Sequence, residues 1–230
     1  PVYGLIASAF FDEYRGLIVL SLYALGIVVG ILTGILFRHT LFRENRAAFV
    51  LELPPYRWPS MRNTLLHVGE RVGHFLEKAG TIILLMSVVL WFLMHFTPAL
   101  AMTAQTERSI LGVAGGWIAP LFRPLGFGTW QASVALLSGL IAKEAVNSSL
   151  SMFLGATGDA LNGALAGLFT PLAAYSFLVF VLLYVPCMAA VTTMRRELGS
   201  AKHTWITVGY QLLVAYVMAL LVHMLGSLFL

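Results

Sequence analysis

Lys143 and Glu144 stand side by side in a stretch, 130–154, whose other residues are apolar or carry only amides and hydroxyls. An ionised side chain at the centre of a bilayer costs about 2.5–3.5 kcal/mol on insertion scales, so two in succession require a role. On a helix, Glu144, Asn147, Ser148 and Ser151 fall at i, i+3, i+4 and i+7 and share one face. A carboxylate, an amide and hydroxyls along one face suit a cation path. The plainer alternatives are an ion pair or hydrogen-bond network that ties helices together, or a segment end close to the membrane interface.

A second group is Tyr184-Val185-Pro186-Cys187-Met188. Pro186 has no N–H for the carbonyl of Leu182, so a helix there must bend and leave an acceptor free. Cys187 follows the break, where its sulfur and the thioether of Met188 are candidate ligands for a soft or borderline divalent metal. A free cysteine is more commonly a small buried hydrophobe. The third group is His67-x-x-Glu70 and His74-x-x-Glu77. Carboxylate–histidine pairs at i, i+3 bind iron in helical bundles, which makes these four residues a secondary metal contact. They also form the polar face of an amphipathic helix whose apolar stripe is Leu65, Val68, Val72, Phe75 and Ala79, and a surface helix needs such a face in any case.

The elements that position these groups are read from hydropathy. Of the 230 residues, 59% are apolar and 10% charged, and the mean hydropathy is +0.87. A soluble domain carries about 25% charged residues, so the composition excludes an ordinary cytosolic domain, a disordered chain and a nucleic-acid binder. The single cysteine excludes an internal disulfide and a Cys-based zinc cluster. Apolar segments at 16–37, 80–96, 130–154, 172–194 and 205–229 predict membrane helices, each needing about 20 residues to span the hydrocarbon core. Lys and Arg concentrate in 38–78 and 195–204, which the positive-inside rule places in the cytoplasm, while 97–129 lies outside. A plain crossing at 130–154 would put Arg195, Arg196 and Lys202 on the wrong side. A re-entrant or broken segment within 130–170 removes the conflict, and irregular backbone at membrane depth occurs where it lines a cavity.

The fold class expected is therefore all-α: a polytopic transmembrane helical bundle with a re-entrant or broken helix region. No P-loop, G-x-S-x-G or H-E-x-x-H pattern is present, so no catalytic residue and no cofactor-binding residue is assigned. Residues 112–117 (GVAGGW) are expected to form a turn. The chain begins at Pro1 rather than Met and is expected to be a piece of a longer polypeptide.

A series of short motifs resembles the membrane half of ferrous iron transport protein B. In order these are Pro1-Val2-Tyr3, Ala9-Phe10-Phe11, Leu53-Pro54-Pro55-Tyr56, Gly80-Thr81-Ile82-Ile83, Trp117 with Pro120-Leu121-Phe122, Pro124-Leu125-Gly126 and Trp130, then Gly139-Leu140-Ile141-Ala142-Lys143-Glu144 and Tyr184-Val185-Pro186-Cys187. The resemblance implies a multi-pass protein of the bacterial inner membrane that moves Fe(2+) inward. It implies that 1–37 ends a first gate module, that 38–78 is a cytoplasmic linker and that 79–230 is the second gate module. Cys187 matches the family's gate cysteine and Lys143-Glu144 its gate motif. The implied partners are the lipid bilayer, Fe(2+) as transported substrate and an N-terminal GTPase domain that alone would bind GTP. A homo-oligomer and a small cytosolic accessory protein are further candidates. From the residues alone the substrate stays open among H⁺, Na⁺ and a polar organic solute. The alternatives are a nucleoside-transporter-like gate protein and a membrane scaffold subunit.

Overall fold

A computed structural model describes residues 2–40, 58, 60–103, 105–141, 143, 145–156 and 158–229. Among these, regular structure is helical: α1 (Val2–Phe10), α2 (Arg15–His39), α3 (Met61–His95), α4 (Ile110–Phe122), α5 (Trp130–Ile141), α6 (Ala145–Leu154), α7 (Asp159–Leu168), α8 (Pro171–Leu183), α9 (Met188–Leu198) and α10 (Ala201–Phe229). One isolated antiparallel bridge joins Phe96 to Met102.

Length sorts these helices. The segments Asp12–His39 and Ala201–Leu228, at 28 residues each, are long and apolar enough to cross a membrane. At 1.5 Å per residue each reaches about 42 Å, beyond the core of about 30 Å. Only 6% of the apolar window of the first is buried inside the chain, and Leu20, Ile27, Ile31 and Ile35 are exposed along it. That is the pattern of a helix facing lipid or other membrane helices. Two sharply bent pairs, α4 with α5 at 105° and α7 with α8 at 96°, are apolar and long enough only when taken together, as a broken span or a re-entrant loop.

The centre of the bundle is α8. It is apolar all round, and Ala173, Ala174 and all six residues from Ser176 to Val181 are buried, as expected of a helix with no polar face. Hydrogen bonds tie it to its neighbours. The Ser21 and Tyr175 hydroxyls lie 2.9 Å apart between α2 and α8, and Ser176 Oγ donates to Ala219 O of α10 at 2.9 Å. Such bonds matter where lipid removes any hydrophobic drive for helices to associate. Rings from three elements close the core: Phe127 lies 5.3 Å from Phe177, 5.4 Å from Phe122 and 6.0 Å from Phe180, centroid to centroid.

The structure corrects the reading of 112–117 as a turn. These residues lie inside α4, whose N-terminus is capped by Ser109 Oγ accepting from Gly112 N at 3.0 Å. The glycines serve close packing instead. A Cβ on Gly112 would collide with the Thr106 carbonyl, and one on Gly115 with Val134 of α5. The stretch 155–171 holds α7. The segment 80–96 is the continuation of α3, so position 78/79 falls inside one unbroken helix. The apolar stripe of its first half is uncovered within the chain: Leu65, Val68 and Val72 are exposed. The proline-rich run 54–59 lies outside the described residues except for Trp58.

Candidate functional site

The predicted segment 130–154 is two helices folded back on each other. Trp130, at the start of α5, packs its ring 5.4 Å from Phe153 near the end of α6. Closer to the break, Ser149 Oγ donates to Ser138 Oγ at 2.9 Å, and Ser138 Oγ donates in turn to Ala135 O at 2.8 Å. Contacts at matched distances on either side of the break define a hairpin. With 12 residues in α5 and 10 in α6, its arms reach only about 18 and 15 Å, too short to cross. The two arms form a hairpin with Lys143 at its tip, the fold-back that the charge distribution predicts.

The second break is where Pro186 predicts it, and it is complete rather than a bend. Helix α8 ends at Leu183, Tyr184 is extended (φ −68°, ψ 172°), and a new helix, α9, starts at Met188 with Cys187 as its N-cap. The Cys187 carbonyl accepts from the N–H groups of Ala190 and Val191 at 2.8 and 3.1 Å. An anion on the sulfur would lie near the positive end of α9.

The two breaks meet. Lys143 Nζ donates to Val181 O in the last turn of α8 at 3.1 Å and lies 5.0 Å from the centre of the Tyr184 ring. The ammonium therefore satisfies one of the carbonyls that a helix end leaves without a partner, and gains a cation–π contact. Gly139 of α5 brings the hairpin against Tyr184; a Cβ there would strike the Tyr184 hydroxyl, and Val146 Cγ2 at 2.5 Å.

The other sequence-derived residues divide. Glu144 lies outside the described residues, so the face it was to share is described from Asn147 onward. Helix α6 begins at Ala145. Asn147 Oδ1 is buried with no hydrogen-bond partner among the described residues, whereas Ser148 is exposed and the buried serine of this helix is Ser149. Met188 is 38% exposed. His67 Nδ1 is 3.6 Å from Glu70 Oε2 on an exposed stretch of α3; the side chains of His74 and Glu77 lie outside the description. Among the described residues, no three His, Cys, Asp or Glu side chains gather closely enough to hold a metal ion by themselves. The residues missed are Tyr184, whose ring holds Lys143, and Thr33, Tyr210 and Gln211, which with Lys143 line a neighbouring cavity. A glutamine within an apolar span was the available signal for the last.

Two family models match. The one described as nucleoside recognition, Gate, covers residues 76–201, more than half of the chain and both helix breaks. The chain belongs to the Gate family. A second model, ferrous iron transport protein B C terminus, covers residues 19–71, and the two together place this Gate module in the membrane region of a ferrous iron transport protein B. The Fe(2+) transporter FeoB of Staphylococcus aureus strain COL is 39% identical over 100% of this chain and 34% of its own length. That of Methanocaldococcus jannaschii is 37% identical over 99% of the chain and 35% of its length. A fusion protein of Porphyromonas gingivalis, named Fe(2+) transport protein A/Fe(2+) transporter FeoB, is 33% identical over 100% of the chain. The Gate chain thus spans about a third of the length of these relatives. No solved structure matches it significantly.

Proposed function

We propose that this chain forms the gated part of a pathway that moves Fe(2+) across a cell's inner membrane, and that the pathway passes where the α5–α6 hairpin tip meets the α8–α9 break. The observation that carries the reading is the Lys143 contact with Val181 O and the Tyr184 ring. It joins the hairpin tip and its ammonium to the end of α8, four residues before Cys187 in the chain. Transporter sites are built from such discontinuous helices. The identity of Fe(2+) rests on the relatives named as Fe(2+) transporters, aligned over essentially the whole chain.

In this reading Cys187 is the soft ligand, Glu144 the anionic one, and Asn147 a neutral oxygen, with Ser148, Met188 and the His67, Glu70, His74 and Glu77 group as outer contacts. Coupling to GTP would come from a domain outside these residues. The fusion in Porphyromonas gingivalis supports a small accessory protein as partner.

Two experiments test the reading. Glu144→Gln in the full-length polypeptide is expected to reduce Fe(2+) uptake while the protein stays monodisperse in detergent. Unchanged uptake removes Glu144 from the ligand set; aggregation assigns it to a structural pair. For topology, single cysteines replace Ser60, Thr106 and Ser200 in a Cys187→Ser background and are labelled with an impermeant maleimide. The cysteines at 60 and 200 should label from the same side and that at 106 from the other. Labelling of 200 together with 106 would mean that the hairpin crosses.

A further inference from the structure

A cavity of about 340 Å³ lies between α2, the α8–α9 break and α10. On α2 it is bounded by Gly26, Gly30 and Thr33. Gly30 presents no side chain to it, and a Cβ there would stand in open space. The other polar groups of the lining are rich in oxygen acceptors. Gln211 Oε1 is buried and has no hydrogen-bond partner among the described residues. The Thr33 and Tyr210 hydroxyls sit 2.9 Å apart. Leu182 also borders the cavity, and its carbonyl, four residues before Pro186, has no N–H to receive in the helical ladder. The cation of this lining is Lys143, which uses one of its three donors on Val181 O.

We propose that this cavity is a vestibule for a partly hydrated divalent cation, and that the Lys143 ammonium is the tethered cation that the incoming ion displaces from Val181 O and the Tyr184 ring. The volume equals about ten water molecules at ~30 Å³ each, so an ion can keep much of its hydration shell. Amide, hydroxyl and carbonyl oxygens are hard, neutral ligands that replace only part of that shell. Pro186 borders the cavity and Cys187 is the next residue, so the ion would pass from neutral oxygens to a thiolate. While the site is empty, Lys143 fills the acceptors at the helix end and repels other cations, which keeps the break closed to leak. The nature of the cargo rests on the proposed transport function; the cation preference of the cavity does not.

The test therefore reads the cavity without iron. Val214, on the α10 wall, is replaced by cysteine in a Cys187→Ser background of the full-length polypeptide, reconstituted in lipid. Its reaction rate is measured with a cationic and an anionic methanethiosulfonate of similar size. Lys143→Met should raise the cationic-to-anionic rate ratio about tenfold, since it removes a unit charge from the lining of the same cavity. Lys143→Arg, which keeps the charge, should leave the ratio unchanged. Mn(2+) should protect the cysteine, at lower concentration in Lys143→Met and at severalfold higher concentration in Gln211→Leu. The proposal is overturned by a cysteine at 214 that does not react, by a ratio indifferent to Lys143→Met, by arginine behaving as methionine, or by Mn(2+) protection that ignores Gln211→Leu. If these results hold and Fe(2+) uptake is absent, the iron reading falls and the cation vestibule stands.

Discussion

Replacing Cys187 with serine is expected to abolish most Fe(2+) uptake while leaving the fold intact. The side chain is half-buried at the last position of the α8–α9 break, the N-cap of α9, and serine is close to it in size, so packing changes little. What changes is ligand softness. Fe(2+) accepts thiolate well, whereas a hydroxyl stays protonated and binds it weakly. The loss should be at least as large as the roughly 10–100-fold effect typical of changes in groups that merely orient a ligand. The same substitution should erase the thiolate-to-metal absorption band that Co(2+), bound in place of Fe(2+), shows with the unsubstituted protein. Normal transport by the serine variant, or no band in the parent, would reduce Cys187 to a small core residue and leave the Pro186 break a packing feature. Partial loss of uptake with the band retained would place the metal at another sulfur, and Met188 would be the next to replace.

The break itself was legible because its cause is covalent: proline has no N–H, and its position in the sequence is its position in the structure. The hairpin was legible through a different route. Neither α5 nor α6 announces a turn, since 130–154 is apolar almost throughout; it was the misplaced charge of Arg195, Arg196 and Lys202 that demanded a return. Where local pattern and tertiary packing disagree, the sequence misled. The glycines of 112–117 look like a turn because glycine is the residue of turns, yet Ser109 caps a helix through them and α5 packs on the face they leave bare. The partners of Lys143 were hidden for a related reason. Val181 O is a backbone group, and Tyr184 lies 41 positions away in the α8–α9 break, so neither can be found by spacing. Of the polar face through Glu144, Asn147, Ser148 and Ser151, the last three share α6, Ser148 is exposed, and Glu144 lies outside the described residues.

A methyl group added at Gly139 should disturb the gate more than its size suggests. The Cβ of Gly139→Ala would overlap the Tyr184 hydroxyl and press on Val146 Cγ2. Tyr184 is 3% exposed, and its ring also packs 5.6 Å from Phe180, so it has little room to retreat. Overpacking of this kind costs about 1–3 kcal/mol. Relief by shifting α5 would carry Lys143 away from Val181 O, so the variant should lose thermal stability in detergent and show altered uptake together. The Tyr184 hydroxyl has no hydrogen-bond partner among the described residues, and removing an unsatisfied buried polar group is close to neutral or stabilising. Tyr184→Phe alone should therefore fold well and keep the ring under the ammonium. Combined with Gly139→Ala it should recover a large part of the lost melting temperature, because the oxygen that the new methyl meets is gone. The interaction energy of that double-mutant cycle measures the contact directly. Simple additivity would mean that α5 and the α8–α9 break are not pressed together at this point, and that Lys143 reaches Val181 without the support that Gly139 gives it.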